Sequence, residues 1–457
     1  MQRVHFIAIG GEAMHNLAIA LSKKNEYEVT GSDDEIFEPS YSRLKENGLL
    51  PREIGWFPER IHKNLNAVIL GMHAAEDNPE LIRAKELGIH IYSFPEYLFQ
   101  QTRSKTRIVV GGSHGKTTTT AMILFVLKKC RIKADYIVGE QIEGFNEKIK
   151  LSFESRIAVF EGDEYLTSTL DRRPKFHLYK PHIAILTGIA WDHINVFPTF
   201  EFYVDQFRKF LNTLETQARL IYFAGDENLK MLTDEAENTR RDVVSFPYNT
   251  PKYETRDGVT YVKTRKGEVA LKIFGEHNLQ NLEAAHLACR QIGVTDDHFY
   301  EAIADFPGVS GHMQKIVQKP GKTAFRDFAN SPSRLRATVN SARKQYPDRK
   351  LVACMELHTY SSLTEEYLPL YAGCMKGADV ALVYYNPEVV RRKRLKELTP
   401  DKVRSAFGGK NITVFTEISE LQKTLRSMNY DNSVLLFMTS DNFSGINIPE
   451  FAEELLK

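Results

Sequence analysis

Apolar runs rich in β-branched residues alternate along the chain with segments of helical periodicity. Most of these runs are nearly continuous, as is typical of parallel strands buried on both faces. They are RVHFIAIG, AVILGM, TRIVVGG, IAVFEGDE, HIAILTGI, ARLIYFAG, KTAFRDFA, KLVACME, DVALVYY and SVLLFMT. Intervening segments such as EAMHNLAIALSKK and SPSRLRATVNSARKQY have the spacing of amphipathic helices. The alternation predicts an α/β fold in which helices cover mostly parallel sheets.

Two breaks divide this pattern into three parts. The polar stretch QQTRSKTR separates a first α/β segment from a second one, and the Gly/Pro-containing stretch DFPGVSGHMQKIVQKPGK precedes a fresh series of strands and helices. A chain of 457 residues is long enough for about three domains. We therefore predict domains at 1–104, 105–306 and 307–457.

Composition narrows the classes of function. The 60 basic and 59 acidic residues give a net charge of +1, which argues against a nucleic-acid binder that relies on general basic charge. The cysteines, Cys130, Cys289, Cys354 and Cys374, form no CxxC pair and are typical of reduced thiols rather than of a disulfide frame or zinc site. The sequence has no run of 18 apolar residues and no secretory leader pattern, so we expect a cytoplasmic protein outside the membrane.

A compact glycine loop at 111–117 is the strongest chemical signal. The strand TRIVV runs through GGSHGKT into the helical segment TTTAMILFVLKK, which brings backbone N–H groups and the positive end of a helix to one point. Lys116 is expected to reach the outer phosphates of a nucleotide, and the Thr117 hydroxyl to hold Mg²⁺. The usual form of the loop has a glycine where this chain has Val110, so an ordinary strand-to-helix turn is the alternative.

Acidic side chains follow the next two strands of the pattern. Glu161, Asp163 and Glu164 come after IAVF, and Asp192 and His193 come after HIAIL. Strand ends of an open parallel sheet face the ligand crevice, and phosphoryl transfer needs a metal held by oxygen ligands. The two clusters together favour a metal site over the alternative of a solvated acidic turn and an ordinary histidine.

Two other stretches carry weaker signals. The turn after the first strand has Gly10 and Gly11, and Asp33 ends the second strand where a ribose-binding acid belongs, but a plain βαβ turn fits equally well. GEHNLQN places His277, Asn278 and Asn281 at the start of a helix, where the amides could read an adenine edge or Asn278 could cap the helix.

These motifs, in this order, resemble the Mur ligase family, the ATP-dependent amide ligases of bacterial cell-wall precursor synthesis. GSHGKTTTT, EGDEY, DH, GEHNLQN and RDFANSPS carry the resemblance over essentially the whole chain. It implies a three-domain α/β architecture: a Rossmann-like N-terminal domain that binds the UDP-sugar, a central P-loop ATPase domain and a Rossmann-like C-terminal domain that brings the amino substrate. It also implies activation of a carboxylate as an acyl phosphate, with ATP and Mg²⁺ required and a monomer or weak dimer as the assembly.

The resemblance assigns site residues as well. The ATP site comprises Gly112, Ser113, His114, Gly115, Lys116, Thr117, Thr118, His277, Asn278, Asn281 and Asp327. The metal ligands are Thr117, Glu161 and His193, and the catalytic residues are Lys116, His193 and Asp327. The UDP-sugar site comprises Gly10, Gly11, Asp33, His73 and Asn78, and the peptide site His358 and Ser361.

Within the family, the segment from FEGDEY to DHINVF is most similar to the branch that joins the recycled murein tripeptide L-alanyl-γ-D-glutamyl-meso-diaminopimelate to UDP-N-acetylmuramate. The ligases that add L-alanine carry arginines where this chain has Thr359 and Ser362, and Phe207 stands where later-acting ligases have a lysine. We therefore predict the tripeptide ligase, with UDP-N-acetylmuramate–L-alanine ligase as the alternative.

Other departures from the family pattern keep a catalytically impaired homologue as a further alternative. Gly311 and His312 replace an arginine pair and Gln314 replaces the acid after it, while Asn330 stands where a histidine is usual. A histidine is shorter than an arginine and mostly neutral at pH 7, so we expect weaker stabilisation of phosphate.

Overall fold

The computed structural model forms two compact units. The first contains residues 1–249 and 284–299, and the second contains 250–283 and 300–457. The residues that the structure describes are 1–168, 170–192, 196–256, 258–408 and 411–457. Both units consist of sheets flanked by helices, which confirms the α/β prediction. The boundaries near residues 104 and 306 stay predictions.

A parallel sheet opens the first unit, in the strand order β2-β1-β3-β4. Its strands are β1 (Gln2–Ile7), β2 (Tyr27–Ser32), β3 (Ala67–Leu70) and β4 (Ile91–Ser93). Its helices are α1 (Glu12–Ser22), α2 (Ser40–Glu46), α3 (Pro79–Glu86) and α4 (Phe94–Thr102). Helix α1 follows β1 directly, so its first turn lies at the carboxyl end of that strand.

A larger sheet follows in the same unit, in the order β11-β10-β9-β5-β8-β6-β7, and only the β6–β7 pair within it is antiparallel among the described residues. Its strands are β5 (Thr106–Gly111), β6 (Ala134–Ile137), β7 (Ile149–Lys150), β8 (Ile157–Glu161), β9 (Ile183–Leu186), β10 (Arg219–Phe223) and β11 (Val244–Tyr248). Its helices are α5 (Lys116–Lys129), α6 (Phe200–Asn212) and α7 (Glu227–Thr239). Strand β5 lies between β8 and β9, so the phosphate loop and both acidic clusters follow adjacent strands at one edge.

The second unit begins with an antiparallel meander of β12 (Tyr253–Arg256), β13 (Val259–Thr264) and β14 (Gly267–Leu271). Helices α8 (Glu276–Gln291) and α9 (Asp296–Ile303) contribute residues to both units. The meander has no counterpart in the sequence prediction, because β12 and β14 are largely exposed and lack an apolar run.

The main sheet of the second unit has the order β15-β16-β20-β17-β18-β19, and its β15–β16 pair is antiparallel. Its strands are β15 (Gln314–Lys319), β16 (Lys322–Asp327), β17 (Lys350–Leu357), β18 (Val380–Tyr385), β19 (Ile412–Phe415) and β20 (Ser433–Met438). Its helices are α10 (Pro332–Gln345), α11 (Pro387–Arg392), α12 (Pro400–Ala406), α13 (Ile418–Arg426) and α14 (Ile448–Leu455). Strands β17 and β20 are neighbours and are almost wholly buried, so side chains beyond their carboxyl ends meet.

Every apolar run that was predicted as a strand forms one, and most of the residues in these strands are buried. Val109, Phe160, Ala184 and Leu220 from four neighbouring strands join one apolar core in the first unit. In the part of the chain that is described, no helix combines the length and the apolar character that a bilayer span requires.

Candidate active site

The glycine loop between β5 and α5 has a backbone shape that requires glycine. Gly112 has φ +128°, and a Cβ there would lie 2.2 Å from Oγ1 of Thr187 and 2.9 Å from its nitrogen. Gly115, at the N-cap of α5, has φ +81°. The loop is tied to the turn after β9, since Ser113 N–H donates to the Gly188 carbonyl at 2.9 Å. The backbone carbonyl of His114 accepts a hydrogen bond from the Thr187 hydroxyl. Thr118 lies in the first turn of α5.

Lys116 lies at the start of α5 among carboxylates. Its Nζ donates to the Gly112 carbonyl at 2.7 Å and to Oε2 of Glu164 at 2.8 Å. Burial lowers the pKa of Lys116, but the charges of Glu164 and Asp163 outweigh burial and hold it above its usual value. The ammonium group is therefore charged, and it is fixed at the mouth of the loop.

Thr117 and Glu161 meet as the sequence analysis predicted. The Thr117 hydroxyl donates to Oε1 of Glu161 at 2.7 Å, and Gly139 N–H donates to Oε2 at 2.8 Å. Burial raises the pKa of the Glu161 carboxyl, although both hydrogen bonds act in the opposite direction. A hydroxyl and a carboxylate beside a phosphate loop are hard oxygen ligands, so this donor set fits Mg²⁺.

The third predicted metal ligand, His193, and the other acidic residues of the two clusters lie in different surroundings. His193 is outside the described residues. Asp163 binds Lys175 at 2.6 Å, and Asp192 is partly exposed directly before the undescribed stretch. Burial raises the pKa of Asp163, but the Lys175 and Lys116 charges outweigh it and lower the value overall. Asp163 is thus already neutralised by lysines of the same unit.

The turn after β1 is closed by Asp33. Gly10 N–H donates to Oδ2 of Asp33 at 2.6 Å, and a Cβ on Gly10 would lie 2.8 Å from that oxygen. Burial raises the pKa of the Asp33 carboxyl. Asn78 caps α3 by accepting from the N–H groups of Glu80 and Leu81 at 3.0 and 3.1 Å. The side-chain oxygen of Asn78 therefore binds the first turn of its own helix. The UDP contact of Asn78 stays a prediction.

A cavity of about 520 Å³ connects this turn with the phosphate loop. Gly11 and His73 line it at one side, and Lys116, Glu161 and Lys175 line it at the other. All of these residues belong to the first unit. The predicted UDP-sugar side and the predicted phosphoryl-transfer side thus open into one space.

A second group of predicted residues lies together in the second unit. Oδ2 of Asp327, at the end of β16, accepts from Met313 N–H at 2.8 Å, and Nδ1 of His277 lies 3.2 Å from Oγ of Ser341. Burial and the nearby charges of His312 and Arg334 lower the pKa of His277 to about 4. His277 is therefore neutral at pH 7. Burial raises the pKa of Asp327, although His312 and Arg334 act in the opposite direction.

Asn278 and Asn281 are buried on α8. Asn278 is the third residue of the helix rather than its N-cap, and its Nδ2 donates to the Phe274 carbonyl at 2.9 Å. The capping alternative is therefore wrong, whereas an adenine contact by either amide stays a prediction.

Gly311, Thr359 and Ser362, which depart from the family pattern, each make local contacts in the second unit. Gly311 has φ +76°, and a Cβ there would lie 2.6 Å from the Phe328 ring. Ser362 donates through Oγ to the Thr359 carbonyl at 3.0 Å, and its N–H donates to the Thr359 hydroxyl at 3.2 Å. Thr359 and Ser362 thus bind each other and present no cation. Ser361 opens the short 3₁₀ helix that follows Thr359 and Tyr360.

Sequence reasoning missed a buried hydroxyl pair below the loop. The Tyr203 hydroxyl lies 2.8 Å from Oγ of Ser113 and donates to Oε1 of Glu164 at 3.2 Å. Tyr203 lies on the buried face of α6, where its sequence context indicates only packing. Phe207, one turn further on, is fully buried and packs edge-on against Tyr203.

Comparisons with known proteins agree with these motifs. Residues 110–289 match the Mur ligase middle domain, and residues 3–106 match the Mur ligase family catalytic domain. The UDP-N-acetylmuramate–L-alanine ligase of Carboxydothermus hydrogenoformans is 30% identical over 371 residues, which is 79% of this chain and 77% of that protein. This relative bears the name of the L-alanine alternative, so the comparison supports that alternative better than the tripeptide prediction.

Solved structures share the fold over the whole chain. UDP-N-acetylmuramate–alanine ligase from Thermotoga maritima has a TM-score of 0.67 at 21% identity, with 100% of this chain and 98% of that one covered. A murein peptide ligase from Psychrobacter arcticus has a TM-score of 0.62 at 22% identity, again with 100% and 98% covered. Together with the sequence matches, these likenesses show that the chain belongs to the Mur ligase family, a family of ATP-dependent ligases that form amide bonds.

Proposed function

We propose that this chain uses ATP to activate the carboxylate of UDP-N-acetylmuramate and joins it to an amine. The observation that carries the proposal is the cavity that extends from Gly11 and His73 to Lys116 and Glu161. A UDP-sugar bound at the glycine turn would have its carboxylate directed towards the phosphate loop. A fixed geometry of this kind converts a reaction of two molecules into one within a complex.

The residues of the chain fit the charge changes of such a reaction. A carboxylate oxygen attacks the γ-phosphorus while the bond to ADP breaks, and negative charge develops on the transferred phosphoryl group. Lys116 is charged and placed to neutralise it. Thr117 and Glu161 would hold Mg²⁺, which supplies further neutralisation. The amine then attacks the acyl carbon, and inorganic phosphate leaves as the amide forms.

We place L-alanine first as the amine, because the Carboxydothermus relative, at 30% identity over most of both chains, is named for it. The murein tripeptide is the second candidate, and a specific observation favours it. Thr359 and Ser362 occupy the positions where the resemblance places arginines that would bind the carboxylate of free alanine, and their polar groups bind each other. A neutral pair of this kind offers a small amino acid no counter-charge.

Product analysis separates the two amines. Protein, ATP, Mg²⁺ and UDP-N-acetylmuramate are incubated with L-alanine and the tripeptide together, at equal concentration, and the UDP-linked products are identified by mass spectrometry. We expect the mass of the L-alanine amide to dominate. A predominance of the tripeptide product would assign the chain to the recycling reaction, and absence of both products, with intact nucleotide binding, would favour the catalytically impaired homologue.

A further inference from the structure

Three metal-ligating side chains meet beyond the carboxyl ends of β17 and β20. Glu356 is near the end of β17, His358 follows that strand, and Asp441 follows β20. One donor atom from each lies within 4.8 Å of the others. This group, the Glu–His–Asp cluster, lies wholly in the second unit, whereas Thr117 and Glu161 belong to the first.

Glu356 is the buried member of the cluster. Its exposed fraction is 2%, and Oε2 accepts from the Thr439 hydroxyl and from Phe443 N–H, the latter at 2.9 Å. Among the described residues, none donates a hydrogen bond to Oε1, and no lysine or arginine pairs with the carboxylate. A buried carboxylate is costly unless a cation or a proton neutralises it.

His358 and Asp441 form the outer side of the cluster. Nδ1 of His358 lies 3.3 Å from Oδ2 of Asp441, and the two side chains are 27% and 38% exposed. Within the described part of the chain, Nε2 of His358 has no hydrogen-bond partner. The outer side is thus open to solvent while the inner carboxylate is fixed.

We propose that the Glu–His–Asp cluster binds a divalent transition metal of the Zn²⁺ class. Two carboxylates and one imidazole are a ligand set that such ions take from proteins, and three protein ligands leave a position for water or another donor. The hydrogen bonds from Thr439 and Phe443 orient Glu356 as the outer partners of metal ligands do. The same cluster with a proton shared between His358 and the carboxylates is the rival state.

Metal titration of the full-length protein tests the site. The chelator-treated protein, without nucleotide, is titrated with Zn²⁺ by calorimetry and with Co²⁺ by visible absorption, which reports ligand geometry. We expect one equivalent of each ion, and Zn²⁺ affinity at least about tenfold weaker in Glu356→Gln, His358→Ala and Asp441→Asn. Asp441 is partly exposed, so its variant keeps the test decisive if the buried substitution impairs folding.

Two control variants make the assignment specific. His298→Ala removes an exposed histidine far along the chain from the cluster, and Glu161→Gln removes the carboxylate beside the phosphate loop. Both variants are expected to bind one equivalent of Zn²⁺ and to give the same Co²⁺ absorption spectrum as the wild-type protein. If the wild-type protein binds no equivalent, or if His358→Ala and Asp441→Asn bind as the wild type does, the proposal is wrong and the cluster holds only a proton.

Discussion

Replacing Lys116 by methionine separates its structural role from its catalytic one. The substitution keeps most of the side-chain volume but leaves the Glu164 carboxylate without its ammonium partner at 2.8 Å. Glu164 is fully buried, and the Lys116 side chain is only 14% exposed. Breaking a buried ion pair from one side costs about 3–5 kcal/mol, so we expect the free energy of unfolding of the first unit to fall by that amount.

The double variant Lys116→Met/Glu164→Gln is the matched control. It removes both charges, and the glutamine keeps an oxygen for the Tyr203 hydroxyl, so most of the lost stability should return. Activity should not return, because the cation that neutralises the transferred phosphoryl group is still missing. We expect kcat to be at least about 100-fold below wild type in both variants.

Urea unfolding followed by fluorescence measures the stability of each variant, and ADP release in the presence of UDP-N-acetylmuramate and amine measures turnover. If the free energy of unfolding of Lys116→Met lies within about 1 kcal/mol of the wild-type value, the expected cost of breaking a buried ion pair is contradicted. Wild-type turnover in the double variant would refute the role of Lys116 at the phosphate.

Three further predictions concern other parts of the chain. Gly112→Ala should abolish ADP release, because its Cβ would lie 2.2 Å from the Thr187 hydroxyl, whereas Gly88→Ala, with nothing within 4 Å, should turn over normally. Burial alone would raise the pKa of Glu80, but the hydrogen bond and charge of His5, together with the hydrogen bonds from Phe57 and Ser32, hold it below its usual value. Glu80→Gln should therefore lower the free energy of unfolding, measured by urea denaturation at pH 7. The difference from wild type should become smaller as the pH falls below 4.5. His312→Arg should raise kcat about tenfold if phosphate stabilisation limits turnover, and an unchanged kcat would contradict that limit.

The sequence predicted the strand, glycine turn and helix at residues 106–129, because the physical constraints on this turn are local. Gly112 and Gly115 supply backbone conformations that few other residues adopt, and Lys116 and Thr117 follow them at the start of a helix. Glu161 was also placed correctly beside Thr117, since parallel strands β5 and β8 end at the same edge.

Contacts that depend on packing between distant segments escaped the sequence reasoning. Glu164 was predicted only as part of an acidic cluster after a strand, and its pairing with Lys116 depends on how the turn after β8 folds. Tyr203 reaches Glu164 from α6, and nothing in an amphipathic helix pattern marks one buried aromatic residue as a hydrogen-bond donor. The meeting of His358 with Glu356 and Asp441 depends on the pairing of β17 with β20, which no local pattern shows, and the peptide contact of His358 stays a prediction.

Oxygen transfer from substrate to phosphate tests the central claim most directly. UDP-N-acetylmuramate carrying ¹⁸O in its carboxylate is turned over with ATP and the amine, and the inorganic phosphate is analysed by mass spectrometry. Activation of that carboxylate as an acyl phosphate predicts that one of its oxygens leaves with the phosphate when the amine attacks. Phosphate that is released in step with amide formation but carries no ¹⁸O would contradict the account.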